Sequence, residues 1–141
     1  MNERYWPNSK DSQLEYYKSL LNNRSRLFLS VVNKSNVVHV GVISLSGINW
    51  VHRYVDIAMV IGKNKYMKGP VATESFALML KVAFVRLNLL NVKSAYSKAN
   101  KNSEELHRLF KFKKVGVYEE LLRINGHSAD MVVEVLNNKI W

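Results

Sequence analysis

The feature that constrains this chain most is a single change of hydrophobic period. Val55-Asp-Ile-Ala-Met-Val-Ile61 is a β-rich apolar run that stops at Gly62. Lys63, Lys65 and Lys68 crowd the loop that follows. From Pro70 the apolar residues return at helical spacing, with Phe76, Leu80, Ala83 and Leu87 on one face and Met79 and Phe84 beside them, to an end by Asn88. A strand that passes through a glycine-containing loop into a long amphipathic helix needs a sheet for that helix to cover, so all-α and all-β architectures are excluded. The same junction is a candidate anion site. The first N–H groups of a helix have no partner within it and carry the positive end of its dipole, which suits phosphate, and Gly69 permits close backbone approach. Neither Gly-x-Gly-x-x-Gly nor Gly-Lys-Ser/Thr is present, so the loop is not a Walker or dinucleotide motif; on spacing alone, a plain strand–helix connection fits as well.

The flanking segments read as alternating elements of one α/β domain with a mixed sheet, residues 1–141. Ser12 and Glu15 form a capping-box pattern for a helix over 12–22, with Leu14, Tyr17, Leu20 and Leu21 at helical spacing. Residues 27–32 predict a strand, 33–36 a turn, 37–45 a second strand, and 46–50 a loop. Beyond the long helix, Val92–Tyr96 predicts a short strand, and Asn102 with Glu105 caps a basic helix carrying Leu106, Leu109 and Phe110. Asn125-Gly126 is the strongest turn signal, joining Lys114–Ile124 to Met131–Leu136 as a hairpin. In its second strand Met131, Val133 and Val135 are the expected apolar face.

Composition narrows the function. The 141 residues hold no cysteine, which removes disulfides, thiolate ligands and a thiol nucleophile, and suits a reducing cytoplasmic compartment. No apolar run approaches the ~20 residues of a membrane span, and the start is no signal peptide. Twenty-one Lys and Arg against 11 Asp and Glu give +10, so the expected partners carry negative charge. Nucleic acid has charge alone in its favour, since no binding motif is present. Four scattered histidines make no metal site.

Several segments together resemble the Gcn5-related N-acetyltransferases, in particular the branch acting on ribosomal proteins, polyamines and amino sugars. They are Val40–Asn49 for the family's third strand, Asp56–Ile61 for its fourth, Gly69–Glu74 at its pyrophosphate loop, Ala83–Asn88, and Asn100-Lys-Asn-Ser103 through Phe112. The resemblance covers nearly the whole chain. It implies the family fold: a mixed, mostly antiparallel sheet with splayed central strands flanked by helices, here with the N-terminal strand and helix missing. It also implies acetyl-CoA as cofactor, with pantetheine along the backbone of Met59, Val60 and Ile61. Pyrophosphate would lie on the N–H groups of Lys68, Gly69, Val71, Ala72 and Thr73, and Asn100 and Ser103 would meet the pantetheine arm. An acceptor amine attacks the thioester directly, without an acyl-enzyme.

Departures from the family pattern shape the expectations. Met67 and Pro70 stand where the loop usually has a Gln or Arg and a Gly, and Lys68 and Gly69 would compensate if the loop is one residue longer, as in the amino-sugar acetyltransferase of pseudaminic-acid synthesis. His107 stands where the family often has its tyrosine acid, five residues before Phe112, and is the expected proton donor. Asp56, beside Arg53, is the expected base or amine-binding group, with Trp50, His52 and Arg53 as substrate-binding residues. The acceptor expected is a small-molecule amine: an amino-sugar nucleotide, with a polyamine or a protein N-terminus as alternatives. A degenerate fold that binds without turnover is another. A homodimer is the expected assembly.

Overall fold

The computed structural model describes residues 9–62, 66 and 69–141. Helix α1 (Lys10–Leu21) leads into an antiparallel meander of β1 (Arg26–Asn33), β2 (Val38–Asn49) and β3 (Tyr54–Ile61). Helix α2 (Pro70–Lys81), prolonged by a π-helical turn over Val82–Arg86, crosses to β4 (Asn91–Ser97). Helix α3 (Lys101–Leu109) then precedes the hairpin of β5 (Lys113–Ile124) and β6 (His127–Asn137). The six strands form one sheet in the order β1-β2-β3-β4-β6-β5. All neighbours are antiparallel except β3 and β4, which the α2 crossover makes parallel.

The core lies between the sheet and α2. Leu45, Val55, Leu80, Leu89, Val92 and Leu136 are fully enclosed, each contributing about 1.5–3 kcal/mol relative to exposure. Alternation along β3 turns Val55 and Ile57 onto this core and Tyr54, Asp56 and Ala58 to the opposite face. Asn125 and Gly126, at φ 51° and 83°, make the expected turn between β5 and β6.

Four expectations are corrected. Helix α1 is capped by Ser9, whose hydroxyl accepts the Ser12 N–H at 3.0 Å; Ser12 is the third helical residue, reciprocating the bond, and not the cap. The segment 46–50 is not a loop throughout, because β2 continues to Asn49 past a bulge at Gly47 (φ 63°), and Ile48 is buried. Helix α3 is capped by Asn100, which accepts the Ser103 N–H at 3.2 Å, two residues earlier than Asn102 with Glu105 would place it. In β6 the enclosed apolar residues are Val132 and Leu136, not the Met131, Val133, Val135 set. Glu134 sits between Val132 and Leu136 on that face, and a carboxylate there conceals the true period.

Candidate active site

β3 and β4 pair over three rungs only, Tyr54 with Asn91, Val55 with Val92 and Asp56 with Lys93, and part beyond them. The Ser94 hydroxyl donates to the Ile57 carbonyl at 3.4 Å across the start of the gap. That carbonyl therefore faces the gap, and the two-residue period of a strand turns the backbone groups of Met59 and Ile61 the same way. Val60 turns instead toward β2, where its carbonyl oxygen lies against Gly41. The gap thus offers unpaired peptide groups from Met59 and Ile61 as rungs for an extended amide-bearing ligand.

The next described element after β3, one of the two strands that line the gap, is α2. Gly69 adopts φ 108°, Pro70 takes the first helical position where no N–H is needed, and no side chain caps the helix. Thr73 directs its N–H and hydroxyl to the Gly69 carbonyl at 3.4 and 3.2 Å. The N–H groups of Val71 and Ala72 remain without intrahelical partners, with no acidic side chain in the first turn. Nothing lies within 4 Å of a Cβ placed on Gly69, so a phosphate has room to approach. The residues present thus fit a phosphate-headed, amide-bearing cofactor. Lys68 falls outside the described residues. Asn100, as the cap of α3, has its side-chain Oδ1 committed to the Ser103 N–H, so both serve the helix start beside the end of β4.

His107 is 3% exposed. Its Nδ1 lies 2.9 Å from Glu134 Oε2, and Tyr96 donates its hydroxyl to Glu134 Oε1 at 3.0 Å. The ring stacks on Phe112 at 4.7 Å between centroids, meets Tyr96 edge-on at 4.9 Å and borders Phe76 at 5.8 Å. Burial pushes the His107 pKa below its ordinary 6.5, outweighing the hydrogen bond and charge of Glu134 that favour the cation. Burial, then Glu134, pushes the Tyr96 phenol up to about 12, so it remains a donor. His107 is therefore neither solvated nor on an open basic face.

A histidine that folding makes less basic binds its proton more readily in the unfolded chain, so stability rises with pH between its folded value and about 6.5. Melting temperature is expected to fall as pH drops from 7 toward 5 and to hold steadier over this range in His107→Asn; parallel curves for both proteins would refute it.

Asp56 lies on the other face of the sheet, 53% exposed, and pairs with Lys93 Nζ at 3.2 Å, which also sits 4.9 Å above the Tyr54 ring. Arg53 is not its partner. Arg53, at φ 56°, donates from Nε and Nη2 to the Asn88 carbonyl and side-chain oxygen, so it ties the end of the α2 segment to the start of β3. Trp50 is 52% exposed and donates Nε1–H to the Arg24 carbonyl at 3.2 Å. His52 is exposed, its N–H on the Asn49 side chain. His107 and Asp56 therefore lie on opposite faces of the sheet, Asp56 at the last paired rung before the gap, while Trp50, His52 and Arg53 cluster in the turn before β3. Glu134 and Tyr96 escaped the sequence reading; the one signal was an acid at an inward position between Val132 and Leu136.

A mixed sheet that parts between two parallel strands, followed by a helix whose first N–H groups are uncapped, leaves peptide groups and phosphate donors free for an extended, phosphate-bearing ligand. The family described as "Acetyltransferase (GNAT) domain" matches residues 2–113, and the chain belongs to that family. It is thus an N-acetyltransferase using acetyl-CoA and transferring the acetyl group to an amine. No curated protein matches it. Among solved structures, a chimera of the Vibrio cholerae spermidine N-acetyltransferase superposes with TM-score 0.87 at 20% identity, covering 99% of this chain and 85% of that one. The Vibrio cholerae enzyme in complex with CoA and spermine gives 0.86 at 20% identity, over 94% and 78% of the two chains. A structure described as a probable acetyltransferase gives 0.84 at 20%, over 96% and 77%. Among the described residues, no helix is long and apolar enough to cross a membrane.

Proposed function

We propose that this chain acetylates the primary amine of an amino-sugar nucleotide by direct attack, acting as one domain in the cytoplasm. Acetyl-CoA, when bound, supplies the activated thioester. The peptide groups of Met59 and Ile61 orient its pantetheine arm, and the N–H groups of Gly69, Val71 and Ala72 are its phosphate donors, with Lys68 adding charge; the Thr73 N–H is turned instead to the Gly69 carbonyl. Val60 supports the strand from the β2 side. Asn100 and Ser103 set the neighbouring helix start against the arm. Asp56 holds or deprotonates the amine, directly or through water, and His107 returns a proton to the departing sulfur. Trp50, His52 and Arg53 shape the acceptor end, with Trp50 available for stacking.

The observation that carries the acceptor class is the Asp56–Lys93 pair. Asp56 is the one carboxylate on β2, β3 and β4, and Lys93 already neutralises it at 3.2 Å. A polycation needs several free carboxylates, whereas a sugar on an anionic carrier suits a chain of charge +10. The solved neighbours favour the second reading, a polyamine such as spermidine. Edge strand β1 leaves Phe28, Leu29 and Val32 exposed, which supports a homodimer.

Turnover with acetyl-CoA and either a UDP-linked amino sugar or spermidine separates the two acceptors. Acetylation of spermidine alone would overturn the sugar reading. For the carrier, Gly69→Glu is expected to weaken acetyl-CoA binding about tenfold or more in calorimetry, because it sets a like charge where the phosphates dock. Unchanged affinity would refute this placement of the loop.

A further inference from the structure

The geometry points to Glu134 as the positioning residue of the transfer: by accepting the Nδ1–H of His107 it leaves Nε2 as the nitrogen that exchanges a proton with the reactants. The inference rests on the reading of His107 as the proton-handling group and adds which nitrogen acts and what fixes it. Glu134 accepts at both oxygens, from Tyr96 on Oε1 and from His107 on Oε2, so the ring must present a hydrogen at Nδ1. Among the described residues no enclosed side-chain nitrogen or oxygen lacks a hydrogen-bond partner. Nε2 has none, so the small accessible part of the ring includes that atom. The titratable groups facing the ring are Glu134 from β6 and Tyr96 from β4; α2 presents Phe76, and Phe112 stacks on the remaining face.

A neutral ring with Nδ1–H has a bare lone pair at Nε2. Such a nitrogen takes the proton that the amine loses as the new N–C bond forms, while the Glu134 carboxylate stabilises the imidazolium. It gives the same proton to the sulfur as the C–S bond breaks, and the ring returns to its starting form. One histidine thus carries the proton from nitrogen to sulfur, so the proton count closes without a second acid, and of the two roles offered for Asp56 only holding the amine remains. The depressed pKa of His107 agrees with a ring that rests neutral.

Glu134→Gln tests this with little change of shape. An amide has one accepting end and one donating end. With Tyr96 holding the oxygen, the amide nitrogen faces Nδ1, and the ring must move its hydrogen to Nε2. NMR of protein labelled with 15N-histidine should show His107 as the Nδ1–H form in the wild type and the Nε2–H form in E134Q. With a UDP-linked amino sugar and spermidine as acceptors, kcat should fall about 100-fold in E134Q with acetyl-CoA affinity within about twofold. A wild-type Nε2–H form, or unchanged kcat in E134Q, overturns the assignment. If His107→Asn abolishes turnover while E134Q does not, the positioning role alone fails. If His107→Asn turns over normally, the reading of His107 fails and the positioning role with it. Should neither acceptor be turned over, the tautomers in the two proteins decide alone.

Discussion

Gly41→Val is expected to destabilise the protein by about 3 kcal/mol or more and to lower its melting temperature by roughly 10 °C. Gly41 lies buried in β2, opposite Ile61 on one side and Val31 on the other. A Cβ there would overlap the Val60 carbonyl oxygen and lie 3.0 Å from the Ile61 Cα. Both are backbone atoms, which no rotamer change moves. The strands must separate, at the stretch of β3 whose other edge lines the gap. Stability and acetyl-CoA affinity should therefore fall together. Gly116→Ala is the control, since a Cβ there meets nothing within 4 Å, and its melting temperature should stay within about 2 °C of wild type. A Gly41→Val protein as stable as Gly116→Ala would show that β2 and β3 are not held this closely.

Gly41 also shows where local sequence stops being informative. The alternation of β2 announces a strand, and the period change at Gly62 announces the helix that covers it, because both patterns are written in neighbouring residues. Which glycine has a carbonyl against its Cα depends on register between strands, and register is not local. The same holds for the pair at His107. Asn125-Gly126 fixes the last hairpin, yet Glu134 meets Tyr96 from 38 residues away and His107 from 27. Reading β6 by the count of apolar residues favours Met131, Val133 and Val135, since three valine or methionine positions outnumber Val132 and Leu136. The half-buried carboxylate reverses that count because its charge is met by two donors, which no single-strand pattern can show. The caps moved for a related reason: Ser9 and Asn100 compete with Ser12 and Asn102, and the backbone entering each helix decides between them.

His107→Asn should lower kcat by about 100-fold or more while leaving acetyl-CoA affinity within about twofold. Asparagine is the informative substitution because its amide N–H can take the place of Nδ1–H on Glu134 while nothing replaces Nε2. Alanine would instead open a cavity among Phe76, Tyr96 and Phe112, costing about 3 kcal/mol or more, and would leave Glu134 with Tyr96 as its donor. Asparagine separates the chemistry from that packing. The family residue at this position, to which the sequence resemblance points, is tyrosine, so His107→Tyr supplies a different proton donor on the same turn of α3. Partial recovery of kcat in that variant, with a pH profile no longer governed by a histidine, would show that the position serves proton transfer whatever group occupies it. Equal loss of kcat and affinity in His107→Asn would instead make His107 part of the acetyl-CoA binding surface, with its pairing to Glu134 holding α3 against β6.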